Sequence, residues 1–148
     1  MVIDDHITVS LPDAVTFTIE ASGEQPITSI VLTYGITART CQEAVATQAV
    51  EFEPGRDVEA SWALDLRKAG SLPIGAEIWW SWELIDGTGA RSTTERQVAR
   101  IDDTRFVWRS AARGPITLSW HTGDAAFGAT LLAIADASLT RISQEAGL

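Results

Sequence analysis

The feature that most constrains this chain is a two-residue alternation that returns through its first hundred residues. Ala14 to Ala21 sets Val15, Phe17, Ile19 and Ala21 on one side and Thr16, Thr18 and Glu20 on the other. Asp57 to Leu66 opposes Val58, Ala60, Trp62, Leu64 and Leu66 to Glu59, Ser61, Ala63 and Asp65. Ala76 to Ile85 repeats the pattern with Ile78, Trp80, Trp82 and Leu84. Successive side chains of an extended chain point to opposite faces, so each segment predicts a strand with one dry face. His6 to Leu11 and Ile27 to Tyr34 read as further strands, with Ile7, Val9 and Leu11, and Ile30, Leu32 and Tyr34, turned inward. A short strand is expected over Thr47 to Phe52, and a more polar edge strand over Arg91 to Ile101. Turns separate them at Leu11-Pro12-Asp13, Ser22 to Pro26, Glu53-Pro54-Gly55, Ala69 to Gly75 and Asp86-Gly87-Thr88-Gly89. Turn signals spaced in this way predict a mainly β fold, a two-sheet sandwich.

The character changes after Ile101. Asp102-Asp103-Thr104-Arg105 reads as a boundary, Phe106 to Trp108 as a short apolar patch, and Ala111 to Pro115 as a second break. Ile116 to Trp120 is one more strand. Asp124 to Ala146 is the one long helix expected, capped by Asp124 and stopped by Gly147. Its apolar face runs through Phe127, Leu131, Ile134, Ala135, Ser138 and Ile142, widened by Leu132 and Leu139. The expected organisation is a sandwich over 1–101, a linker over 102–115 and a strand–helix segment over 116–148. A helix so apolar needs a cover, either the sandwich or a second copy of the chain as a homo-oligomer.

The chain has 148 residues and is 45% hydrophobic, which excludes a disordered polymer. Its net charge of −9 disfavours nucleic acid and anionic membrane as partners. The sign reverses locally: Arg91, Arg96, Arg100, Arg105, Arg109 and Arg113 face three acids, Glu95, Asp102 and Asp103. This run is a solvated strand and linker, or a contact with an acidic surface, the domain's own included. Cys41 is the only cysteine, so there is neither an intrachain disulfide nor a zinc–cysteine site. No run of about 18 apolar residues predicts membrane insertion. Met1 to Asp5 lacks the basic start and apolar stretch of a signal peptide.

The search for chemistry is mostly negative. No His-Glu-x-x-His pair, Gly-x-Ser-x-Gly elbow, phosphate loop or dinucleotide fingerprint occurs, so no catalytic residue, metal ligand or cofactor is assigned. Trp120-His121-Thr122-Gly123-Asp124 is the most suggestive stretch. His121 and Asp124 could share a proton or a metal in a small hydrolase; the plainer reading is a loop histidine beside a helix cap. Asp86, Asp102 and Asp103 lack the spacing of a calcium loop and read as turn acids. In Ile78-Trp79-Trp80-Ser81-Trp82, alternation turns Trp79 away from Trp80 and Trp82. Trp79 is either a platform for a carbohydrate or protein ligand, or is covered by neighbouring chain.

Leu72-Pro73-x-Gly75, Ile78-Trp79-Trp80-x-Trp82 and Asp86-Gly87-x-Gly89 resemble the E–F corner and F–G hairpin of a fibronectin type III or immunoglobulin-like sandwich. Ile78 stands where those domains carry a tyrosine. Most of the chain resembles the N-terminal portion of peptidase MA-like proteins. The resemblance rests on Ile30-Val31-Leu32-x-Tyr34-Gly35, Thr40-Cys41, Phe52-x-Pro54-Gly55, Val58-x-x-Ser61-Trp62, Gly70-Ser71-Leu72-Pro73-x-Gly75 and Ile78-Trp79-Trp80-x-Trp82. It continues through Asp102-Asp103-x-Arg105-x-x-Trp108, Ile116-x-Leu118-x-Trp120-His121-x-Gly123-Asp124-x-x-Phe127 and Gly147-Leu148. It implies an exported or cell-surface parent in which a sandwich precedes a zinc-metallopeptidase-like domain. This chain would then be a non-catalytic accessory domain that binds or positions its neighbour, and 116–148 would open the peptidase-like domain. No catalytic residue carries over, because the matching motif is absent here.

Overall fold

A computed structural model describes residues 2–37, 44–69 and 72–147. Cys41 and the Gly70-Ser71 corner lie outside them. The chain divides into two compact units, Met1–Asp102 and Asp103–Leu148.

The first unit is organised by one strand. Nine residues of β1 (Val2–Ser10) turn at Leu11-Pro12-Asp13 into β2 (Ala14–Thr37), which is 24 residues long. Ser22 to Pro26, expected as a break between two strands, instead bends a continuous one. The first half of β2 pairs with β1 and with β4 (Gly55–Asp65). The second half pairs with β3 (Ala44–Val50) and with β5 (Glu77–Asp86). The register shifts in both ladders at the bend, between Ser22 and Ile27 towards β4 and between Ile27 and Ser29 towards β5. Gly23 and Pro26 explain the change: a Cβ at residue 23 would stand 2.8 Å from the Gln25 carbonyl oxygen, and Pro26 has no N–H to give a ladder. A four-residue helix, α1 (Leu66–Ala69), follows β4. The expected polar edge strand is two short pieces, β6 (Arg91–Thr93) and β7 (Gln97–Arg100), both paired with β5.

All seven strands therefore belong to one antiparallel sheet, curled so that its halves face each other as the two layers of a sandwich. The residues that alternation turns inward fill the space between them. Val15, Phe17, Ile19, Ile30, Leu32, Ile78 and Trp82 are fully buried. Phe17, on the first half of β2, meets Tyr34 on the second half at 5.2 Å and Trp80 of β5 edge-on at 6.0 Å between ring centres. Asp5 is the one inward-facing acid of β1, opposite Ile19. Its Oδ1 accepts the indole N–H of Trp80 at 2.6 Å and of Trp82 at 2.9 Å, joining the first strand to β5. Sequence alternation placed the tryptophans inside; it gave no sign that one carboxylate serves both.

The second unit is a hairpin and a helix. The segment expected as a linker carries β8 (Arg109–Arg113), which pairs with β9 (Ile116–Trp120) through a two-residue turn at Gly114-Pro115. Gly114 adopts φ +56°, which a side chain would disfavour. Helix α2 (Ala125–Ala146) follows. Asp124 Oδ1 caps it by accepting from the Phe127 N–H at 2.8 Å, and Gly147 closes it at φ +70°. The packed face is shifted from the expected one and shares Leu132 with it. It runs through Gly128 and Leu132, the two buried positions, because a residue without a side chain lets the Trp120 ring reach the helix backbone. Phe127 (46%), Ile134 (58%) and Ile142 (55%) remain exposed. By length and composition α2 is long and apolar enough to cross a membrane, contrary to the expectation of no such segment. Asp136 interrupts it and meets Arg113 of β8 at 3.5 Å.

Replacing Asp5 by Ala strands two indole N–H groups in the interior. The expected loss is about 2 kcal/mol, the usual cost of orphaned buried donors, measured by denaturant unfolding. A loss below about 0.5 kcal/mol, the range of an ordinary surface substitution, would show that Asp5 does not hold the layers together.

Candidate functional site

Trp79 lies on the outer face of the second layer, in a row that crosses four strands: Val45, Gly35, Trp79 and Val98. The missing side chain of Gly35 is what lets the indole lie flat. A Cβ at residue 35 would come within 2.6 Å of the ring. The opposite face carries the Arg96 guanidinium, 3.7 Å from the ring centre in a cation–π contact. Trp79 is consequently only 4% exposed, and its Nε1 is buried without a hydrogen-bond partner. The exposed stacking platform considered from sequence is not presented: cover comes from Arg96, which alternation alone could not foresee.

His121 and Asp124 sit in the second unit, and no hydrogen bond joins them. His121 stacks on Phe106 at 4.2 Å and meets the edge of Trp108 at 5.0 Å, while its Nδ1 lies 3.0 Å from the Thr122 hydroxyl. Asp124 is occupied as the helix cap. Beneath this aromatic group Asp103 is buried and clasped by Arg105 through two contacts of 2.8 Å, and its backbone carbonyl accepts from Trp108 Nε1. The Arg105 hydrogen bonds hold the Asp103 carboxyl below its ordinary pKa, with a smaller contribution from the charge of His121.

The three aspartates weighed as calcium ligands go separate ways. Asp102 pairs with Arg100, Asp103 with Arg105, and Asp86 accepts from Thr88 and Ala90 in its own turn. Among the described residues no three His, Cys, Asp or Glu side chains are grouped to hold a metal. The arginine run is likewise engaged with its own unit. Arg91 meets Glu83, Arg96 covers Trp79, Arg109 donates to the Gly123 carbonyl and Arg113 meets Asp136.

A cleft of about 250 Å³ opens beside the bend of β2. Val2, Ile27 and Leu84 form its apolar floor. Glu24 and Gln25 rim one side, and Asp86, Arg91 and Ser92 of the β5–β6 hairpin rim the other. Sequence reasoning missed it. Its only signal was the Ser22 to Pro26 stretch, which looked like punctuation between strands.

Two outcomes follow. Gly35→Ala forces Trp79 off the sheet; a loss of about 1–3 kcal/mol, as for overpacking, with a red-shifted tryptophan emission is expected. Unchanged stability and emission would show that the ring does not lie on Gly35. Asp103 has a folded pKa below its unfolded value, so its contribution is present above the ordinary carboxylate range and is lost as pH falls through the folded value. Acid titration followed on the His121 and Phe106 NMR signals should show the second unit loosening below about pH 4, the free aspartate value, with Asp103→Asn flattening that acid limb. An identical limb in the variant would contradict the clasp.

No family model matches the chain, and no curated protein matches it. Among solved structures it is similar to wild-type OgpA from Akkermansia muciniphila at 12% identity and TM-score 0.47, covering 68% of this chain and 27% of that one. Catalytically inactive OgpA in complex with an O-glycopeptide, glycodrosocin, matches at 11% identity and TM-score 0.48, covering 68% and 28%. A Br derivative of BhCBM56 matches at 13% identity and TM-score 0.46, covering 66% and 89%. The chain spans about a quarter of the length of OgpA. Similarities of this size establish neither a family nor a function.

Proposed function

We propose that this chain is a non-catalytic accessory module of an exported metallopeptidase-like protein, and that it binds or positions the domain that does the chemistry. The observation that carries the reading is the outward face of α2. Phe127, Ile134 and Ile142 are exposed on a helix whose adjoining side is already seated on the β8–β9 hairpin through Gly128 and Leu132. Apolar positions left outside in this way suit contact with further protein. Bilayer is the poorer cover, since the Asp136–Arg113 pair would put charge at membrane depth, at about 2.5–3.5 kcal/mol for each charged residue. The resemblance to peptidase MA-like proteins names the neighbour: the peptidase-like domain of the same parent, for which 116–148 supplies the opening elements. The engaged carboxylates and the capping role of Asp124 fit a module without its own active site.

Two measurements test this reading. Casein and peptide digestion by the purified chain with added zinc should show no cleavage; cleavage abolished by 1,10-phenanthroline would overturn the non-catalytic assignment. Phe127→Ser and Ile134→Ser should each change the stability of this chain by less than about 0.5 kcal/mol, as expected of surface positions. Losses of about 2 kcal/mol or more, typical of core truncation, would mean that the face is used internally and is not kept for a neighbour.

A further inference from the structure

The cleft beside the β2 bend is built differently from the rest of the surface. Residues 23–26 have no register partner in β1, β4 or β5, so the strand passes the cleft without a ladder on that stretch. The Pro26 carbonyl is taken by the Gly87 N–H at 2.8 Å, which ties the bend to the facing hairpin and holds the two rims at a fixed separation. On the hairpin side, Asp86 Oδ1 accepts from the Thr88 N–H, the Thr88 hydroxyl and the Ala90 N–H. All three bonds fall on one oxygen, and Oδ2 carries none of them. Arg91 uses Nη1 on Glu83. The rim therefore offers acceptors from Glu24 and Asp86, donors from Gln25 and Arg91, and the Ser92 hydroxyl, around an apolar floor.

We propose that this cleft binds an uncharged polyhydroxylated ring, one sugar residue in size. The proposal deepens the accessory-module reading and rests on it. Mixed donors and acceptors at the edge match hydroxyls, which both give and take hydrogen bonds. The floor of Val2, Ile27 and Leu84 matches the C–H face of such a ring. At about 250 Å³ the space is below the roughly 300–1,000 Å³ of drug-sized sites, which suits one ring rather than a chain of them. Charged ligands fit less well. A phosphate would meet Glu24 and Asp86, with the nearby guanidinium already on Glu83. An ammonium would share the rim with the Arg91 guanidinium, and Glu24 is open to solvent.

The test is an NMR titration of the full ¹⁵N-labelled chain with the methyl glycosides of glucose, galactose, N-acetylglucosamine and N-acetylgalactosamine. Saturable shifts confined to Gly23, Glu24, Gln25 and the Gly87 to Ser92 amides are expected for at least one probe, with Kd of about 1–10 mM, a range worth roughly 3–4 kcal/mol. Gln25→Ala with Ser92→Ala should weaken binding at least about tenfold, which corresponds to 1.4 kcal/mol, with the remaining spectrum unchanged. No saturable shift at these amides up to about 50 mM, well above that Kd range, would overturn the proposal. So would full affinity in the double variant, or binding centred on the Trp79 row. An empty cleft in a chain without protease activity removes the sugar site alone. Chelator-sensitive cleavage removes the accessory reading and leaves the titration to be judged by itself.

Discussion

The first unit depends on the continuity of β2. Most two-layer sandwiches obtain their second layer from separate strands; here one strand of 24 residues runs through both. Its first half carries Val15, Phe17 and Ile19, its second half Ile30 and Leu32, and the bend turns the two sets toward each other. The core is therefore closed by a single covalent path. Burial of large apolar side chains at about 25 cal/mol per Å² drives the closure, and the Asp5 bonds to Trp80 and Trp82 fasten the first strand across it.

The same bend makes the one cleft described above. A strand that leaves its ladder for four residues exposes backbone and rim side chains that a regular sheet would keep paired. The core and the cleft thus share a cause, since the deformation that brings Phe17 onto Tyr34 also opens the space between Gln25 and Ser92. The outer face shows the opposite solution. There Gly35 makes room for Trp79, Arg96 covers it, and a bulky indole becomes part of the sheet surface.

Alternation made most of this legible. The inward sets of β2, β4 and β5 follow from side-chain direction alone, and the ends of α2 follow from Asp124 and Gly147. Three things escaped for physical reasons. Ser22 to Pro26 has the composition of a turn, and only pairing with β4 and β5 decides that the strand continues. Arg109 to Arg113 looks polar and broken, yet a Gly-Pro turn suffices to fold it back on β9. The packed face of α2 is set by the Trp120–Gly128 contact, a small residue that apolar periodicity scores as neutral. Of the site residues, the capping role of Asp124 and the cover of Trp79 by neighbouring chain were readable, while the identity of that cover, Arg96, and the stacking of His121 on Phe106 depend on side chains that alternation does not place.

Native-state hydrogen exchange along β2 tests the central claim, that both layers are one cooperative unit built on this strand. The amides of Val15 to Ala21 and of Ile30 to Ile36 should open with the same free energy and the same denaturant dependence, with residues 23–25 exchanging faster between them. Two separate opening free energies, one for each half of β2, would contradict it.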